Sequence, residues 1–193
     1  MSELNRRQVI GAAAAVAGGL AAASGRAEAA EKGEELPTFR YALEQQKGRI
    51  TEGGYAREAT VKQLPISTGL AGVSMRLKPG GLRELHWHPH ANEWLYFISG
   101  KARMGLFGSH GRYRAEDFNT GDAGYIPQGF GHSIENVGGQ KARILIVFNS
   151  GHYQTIDLSQ WIAGNPADIL ATNFSVDSSV FDKFPHRDVF LTK

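Results

Sequence analysis

The sequence predicts an all-β domain, an antiparallel sandwich or barrel finished by short C-terminal helices, and three observations predict it. From Gly54 to Ser150 the chain consists of short apolar or alternating runs. Turn signals separate them at close intervals: Lys78-Pro79-Gly80-Gly81, Ser99-Gly100-Lys101, Gly108-Ser109-His110-Gly111, Thr120-Gly121-Asp122 and Val137-Gly138-Gly139. Such regular punctuation suits hairpin-connected strands and leaves no room for the crossover helices of βαβ units. After Ser150 the pattern changes to helix starts and stops.

Composition sets compatible bounds. With 193 residues, 41% hydrophobic and 21% charged, the chain is long enough for one globular domain with a sizeable core. Its 21 basic and 19 acidic residues leave a net charge of +2. No Lys/Arg cluster is interleaved with aromatics, so nucleic acid is not an expected partner. The absence of cysteine excludes disulfides and thiolate metal ligands.

At the N-terminus, Arg6-Arg7 precede an apolar run from Val9 to Ala23, followed by the small-x-small exit Ala27-Glu28-Ala29. The run is too short to cross a bilayer comfortably, and its Ala and Gly side chains bury little area. A basic start, an apolar run and a small-residue exit read together as an export signal over residues 1–29. Arg6-Arg7-Gln8-Val9-Ile10 resembles the twin-arginine class, with Asn5 and Val9 off its consensus. The mature chain is expected to begin near Ala30, periplasmic or extracellular and without a membrane segment.

Residues 30–53 read as a polar arm with one short strand around Phe39 to Leu43, and residues 54–193 as the domain proper. Toward the C-terminus, Asp157 is placed to N-cap a helix containing Leu158, Trp161 and Ile162 that ends near Gly164-Asn165. Pro166 suits the first turn of a second helix through Ile169 and Leu170. A third is expected from Asp177 to Phe184, stopped by Pro185.

Chemistry concentrates in two segments. In the first, His86 and His88 alternate with Trp87, so on a strand both point to one face about 7 Å apart. Pro89 to Asn92 then let the chain turn and return Glu93 as a carboxylate ligand. In the second, a strand ends at Ile126, Gly129 and Gly131 permit a tight turn, and His132 starts the next strand as a third imidazole from the opposite wall. Two complementary segments in order are far more specific than an isolated His-x-His pair.

Gly80 to Gly100 and Gly121 to Asn136 match the two motifs of the cupin superfamily, whose fold is a small antiparallel, jelly-roll-like β-barrel. The resemblance maps its four metal ligands onto His86, His88, Glu93 and His132. Glu58-Ala59-Thr60, Arg83 to His88, Glu93-Trp94, Ser99 to Met104, His152-Tyr153 and Gln160-Trp161 resemble one half of bicupin oxalate decarboxylases, closest to the C-terminal half. The likeness spans roughly Phe39 to Phe174.

A set of three imidazoles and one carboxylate suits several first-row divalent ions. The resemblance implies Mn(II), with Fe second, dioxygen as a co-reactant, and a homo-oligomer. Arg83 is the substrate-binding candidate, because a guanidinium holds a carboxylate bidentately and suits a small dicarboxylate. Strict alternation sets Arg83, Leu85 and Trp87 opposite Glu84, His86 and His88; a bulge near Gly80-Gly81 reconciles the two.

The reaction implied is one-electron oxidation of oxalate, loss of carbon dioxide, and protonation of the remaining carbon by a nearby acid. Without the acid, the second electron passes to dioxygen and peroxide forms, as in oxalate oxidases. The family's lid glutamate has no counterpart in Gly151 to Asp157, and its last-strand glutamate is replaced by Ile146. His152 and Tyr153 are the remaining candidates for the catalytic acid. Glu135, His90, His110 and His186 read as surface, turn or tail residues. A non-catalytic cupin that stores metal or senses a small carboxylate is the alternative from another class.

Overall fold

The alternation in the sequence becomes twelve strands, all paired antiparallel, in the computed structural model, which describes residues 35–193. The unit treated below runs from Pro37 to Lys193, and the export signal expected over residues 1–29 lies outside the described residues. In chain order the strands are β1 (Arg49–Thr51), β2 (Gly54–Ala59), β3 (Ala71–Leu77), β4 (Leu82–Trp87), β5 (Glu93–Ser99) and β6 (Lys101–Gly108). They continue with β7 (Arg112–Asn119), β8 (Ala123–Ile126), β9 (Gly131–Glu135), β10 (Ala142–Phe148), β11 (Ile156–Asp157) and β12 (Leu191–Thr192). One sheet has the order β1-β2-β3-β10-β5-β8; the other runs β11-β4-β9-β6-β7, with β12 also pairing β4.

The core lies between the two sheets, filled by the inward residues of each strand. On β10, Ala142, Ile144, Ile146 and Phe148 are buried at every second position; on β5, Glu93, Leu95 and Phe97 are. Phe97 is fully buried and its ring stacks on Phe118, 5.2 Å between centroids. This period of two is what makes the register unambiguous: a slip of one residue would drive the core face into water. Gly100 makes the β5–β6 turn at φ +90°, and a Cβ there would sit 2.6 Å from the Ala142 Cα. Only glycine meets both demands.

Three expectations are corrected. The strand expected at Phe39 to Leu43 is absent; that stretch leads into a 3₁₀ turn, Leu43–Gln45, and the arm's strand is β1. The reason is local: Glu52-Gly53 folds β1 straight back on β2, so Ile50 pairs Tyr55, while Phe39 stays exposed. The third helix is 3₁₀, Ser178–Lys183, with the Asp177 carboxylate accepting from the Ser179 N–H at 2.9 Å. The first two helices are α1 (Leu158–Ala163) and α2 (Ala167–Phe174), with Pro166 one residue before the start of the second. The third correction concerns the bulge. Arg83 pairs Ile134 and His86 pairs His132, so Glu84 and Leu85 together oppose Ser133. The extra residue therefore lies at Glu84-Leu85, not Gly80-Gly81.

Strand β4 is consequently covered on both edges. Strand β9 takes one; the other is shared end to end by β11, with Asp157 opposite His86, and β12, with Leu191 opposite Arg83. The last residues of the chain thus lie beside the arginine that precedes the histidines.

Candidate metal centre and substrate cavity

The structure brings His86, His88, Glu93 and His132 together: their ligand atoms all lie within 4.8 Å of one another, and all four residues are buried. Each comes from a different local device. His86 and His132 are cross-strand partners on β4 and β9. His88 lies just past β4, where the Gly129 N–H, in a left-handed turn residue at φ +78°, donates to its carbonyl at 2.9 Å. Glu93 opens β5 between Phe148 and Ile126.

The three rings are oriented alike. Each Nδ1 faces a backbone carbonyl: His86 on Glu84 at 2.7 Å, His88 on Gln154 at 2.8 Å, His132 on Phe130 at 3.1 Å. A carbonyl accepts only, so the ring proton belongs on Nδ1 and each Nε2 turns its lone pair inward. The Nε2 atoms of His88 and His132 approach Glu93 Oε2 to 3.1 and 3.2 Å. Burial, then the neighbouring His132, holds His86 well below its ordinary pKa, which keeps that ring neutral. Glu93 Oε1 is buried with no hydrogen-bond partner among the described residues. Converging lone pairs, a carboxylate and an orphaned buried oxygen fit a cation and fit little else. The donor set is nitrogen and oxygen, suited to a first-row divalent ion.

Three of the four, His86, His88 and Glu93, form part of the wall of a cavity of about 510 Å³. Arg83 lines the same cavity and is 3% exposed, because the bulge turns it to the side that His86 and His88 occupy. Its Nη2 donates to Asp157 Oδ1 at 2.6 Å and its Nη1 to the Phe190 carbonyl at 3.3 Å. Tyr153 also lines the cavity. Its ring stacks on Phe148, 4.0 Å between centroids, and its hydroxyl donates to Glu58 Oε2 at 2.8 Å. Burial and the Glu58 carboxylate push that hydroxyl far above its usual pKa. His152 is exposed and absent from the cavity lining; its carbonyl, not its ring, is engaged, by His90.

Sequence reasoning missed one cavity residue and misjudged the task of another. Glu58 shares the parity of the buried Gly54 and Ala56 on β2; a carboxylate on the core-facing side of a strand was the signal available. Asp157, expected as a helix cap, makes no side-chain cap. The Ser159 N–H at the start of α1 is taken by Glu84 Oε2 at 3.0 Å instead, leaving Asp157 for Arg83.

Comparison with known proteins decides the lineage. A family model described as cupin matches residues 41–181. The chain belongs to the cupin family. This cupin is 40% identical over 159 residues to the oxalate decarboxylase OxdC of Bacillus subtilis, covering 81% of this chain and 41% of that protein. It is 44% identical over 132 residues to an oxalate decarboxylase of Arthroderma benhamiae, covering 68% of this chain and 31% of that one. The solved structure of the Bacillus subtilis enzyme at pH 4.6 superposes with a TM-score of 0.78 at 37% identity, over 83% of this chain and 42% of that one. Another structure of that enzyme, also at TM-score 0.78, concerns its Mn(II) centres. The cupin described here spans about two fifths of the first of these relatives, as one half of a bicupin does.

Proposed function

We propose that this cupin degrades oxalate to formate and carbon dioxide at a Mn(II) centre, with Fe(II) the second choice, held by His86, His88, Glu93 and His132. One observation carries the reading: a cluster ready for a divalent cation opens on the same cavity as a buried arginine. Likeness to oxalate decarboxylases, one studied for its Mn(II) centres, supports it. So does charge. The cavity is lined by four acids (Glu58, Glu93, Asp157, Asp188) and four bases (Lys47, Arg49, Arg57, Arg83), which cancel. A divalent metal leaves two positive charges, and a small dianion returns the cavity to neutrality.

Bound at this cluster, the metal supplies a Lewis-acid and one-electron redox site. The chain's own residues do the rest. Arg83 orients a substrate carboxylate through charge-assisted hydrogen bonds. Phe148 and Tyr153 cover the His88 ring and limit water there, with centroids 4.6 and 5.8 Å from it. When the carbon–carbon bond breaks, one carbon leaves as carbon dioxide and the other takes a proton, with no net oxidant consumed. We assign that proton to the Glu58–Tyr153 pair. Glu58 is exposed enough to recharge from solvent; once protonated it donates to the Tyr153 oxygen, reversing the 2.8 Å hydrogen bond and freeing the hydroxyl proton to turn into the cavity.

A second reading rests on one observation: neither Ile146 nor the segment from Gly151 to Ile156 offers a carboxyl group. On that reading oxalate, dioxygen and two protons become two carbon dioxide and hydrogen peroxide. Mn(II)-loaded protein given oxalate in air separates the two. Formate in amounts equal to carbon dioxide supports the decarboxylase, and peroxide with oxygen uptake the oxidase. Metal binding without either product leaves a storing or sensing cupin.

We also propose that the protein acts outside the cytoplasm, from the export signal read over residues 1–29, which sequencing the mature N-terminus tests. No helix among the described residues is long and apolar enough to cross a membrane. A homo-oligomer is proposed as well. An exposed row of Trp94, Tyr96, Ile98 and Tyr125 on the outer face of β5 and β8 supports it, and light scattering checks it.

A further inference from the structure

Asp157 occupies the N-cap position of α1, where an aspartate ordinarily accepts a backbone N–H of the first turn. Glu84 has taken over that task. Its Oε2 accepts from Ser159 and its Oε1 from the Phe190 N–H at 2.6 Å, so both carboxylate oxygens are spent on backbone. Asp157 is left to face Arg83, and the two meet at 2.6 Å with side chains only 7% and 4% exposed. Backbone pairing with His86 holds Asp157 in place, and the Phe190 ring lies 4.6 Å from the guanidinium carbon of Arg83. Both partners line the cavity beside the metal cluster. The arginine that faces the substrate space therefore already has a resident carboxylate.

A buried, charge-assisted pair of this kind is not opened cheaply, since neither group regains water when they part. An incoming carboxylate finds a guanidinium whose charge is already shared with Asp157 and whose Nη2 and Nη1 already donate, to Asp157 and to the Phe190 carbonyl. A monocarboxylate can engage Arg83 or the metal, but not both at once. A dicarboxylate can: one end shares Arg83 with Asp157 while the other donates its oxygens to the metal.

We propose that Asp157 is a specificity-determining residue that weakens Arg83 toward any single carboxylate, so the cavity retains 1,2-dicarboxylates and rejects monocarboxylates, formate included. The inference rests on the reading of Arg83 and the metal cluster under Proposed function. It adds a reason for the product to leave: formate keeps the carboxylate that Arg83 binds weakly and loses the one that held the metal.

Calorimetric titration of Mn(II)-loaded protein with formate and with oxalate, without dioxygen so that binding is read apart from turnover, tests it. Wild type should prefer oxalate over formate by roughly a hundredfold or more. Asp157→Asn keeps the shape and removes the charge; formate should then bind roughly tenfold tighter, with oxalate tighter as well, at unchanged Mn content. Asp157→Ser should behave alike. Unchanged formate affinity with weakened oxalate binding in both variants would mean that Asp157 only props Arg83, and the proposal fails. Should the variants not fold, wild type still decides: formate bound within about threefold of oxalate leaves no selectivity to explain. Selective oxalate binding with no turnover in air contradicts the enzymatic reading and supports the selectivity.

Discussion

Replacing Glu93 by Gln offers an unusually direct test of the metal centre, because the metal-free and metal-loaded proteins should respond with opposite signs. In the metal-free protein a buried carboxylate faces the inward lone pairs of His88 and His132 at 3.1 and 3.2 Å, with its Oε1 unpartnered. An amide of the same shape donates to those lone pairs, a gain of about 1 kcal/mol for one new hydrogen bond. Metal-free Glu93→Gln should therefore melt no lower than metal-free wild type, and up to about 2–4 °C higher for a domain of this size. Metal reverses the order. At a free Mn(II) concentration about 100 times Kd, binding stabilises wild type by about 2.7 kcal/mol, a rise in Tm of roughly 5–11 °C. Without the carboxylate that rise should shrink to below about 2 °C at the same Mn(II), since one of four ligands and the only anionic one is gone. Differential scanning calorimetry of chelator-treated and Mn(II)-titrated samples reads both signs. A metal-free variant several degrees less stable than wild type, with the full metal-induced rise retained, would refute the assignment of these four side chains to a cation.

Arg83→Lys keeps the charge but not the fork, so kcat/KM for oxalate should fall roughly a hundredfold while Mn content, read by elemental analysis, stays at the wild-type level. Glu58→Gln should leave metal and oxalate binding alone and slow formate release roughly 10²–10⁴-fold, the usual weight of a general acid, with peroxide rising as formate falls. The pH dependence of the metal-free protein follows from His86, whose folded pKa lies below its ordinary 6.5. Below that pH the unfolded chain takes up a proton that the folded chain refuses, so stability is lost as pH falls. Denaturant midpoints should thus drop from about pH 7.5 to about pH 5.5, and His86→Gln should flatten that drop.

The bulge in β4 is the structural feature on which the substrate reading turns. Strict alternation would hold Arg83 away from the histidines; one extra residue at Glu84-Leu85 rotates the strand so that Arg83, His86 and His88 all reach one cavity. The same extra residue puts two consecutive charged residues, Arg83 and Glu84, inside. Each is then partnered: Arg83 by Asp157 and the Phe190 carbonyl, Glu84 by the Ser159 and Phe190 N–H groups. Buried charges persist only where such partners exist, which is why the C-terminal tail returns to lie along β4.

What the sequence determined alone was everything that local spacing encodes. Alternation of period two set the strands and their inward faces, glycine and proline set the turns, and the His-x-His pair with Glu93 and His132 marked the cation cluster. Asn136, read as the end of the second motif, has a plain structural task of the same kind: buried, it bonds the Leu77 and Gln140 carbonyls and accepts the Gly138 N–H. What only the tertiary structure decided were the partners of charged groups far apart along the chain: Arg83 with Asp157, Glu84 with Phe190, Tyr153 with Glu58. A bulge is one residue of register between two strands, and a buried ion pair is chosen by which polar atoms the closed sheets leave unmatched. Neither has a repeat in the sequence, because both are settled by the whole set of pairings at once.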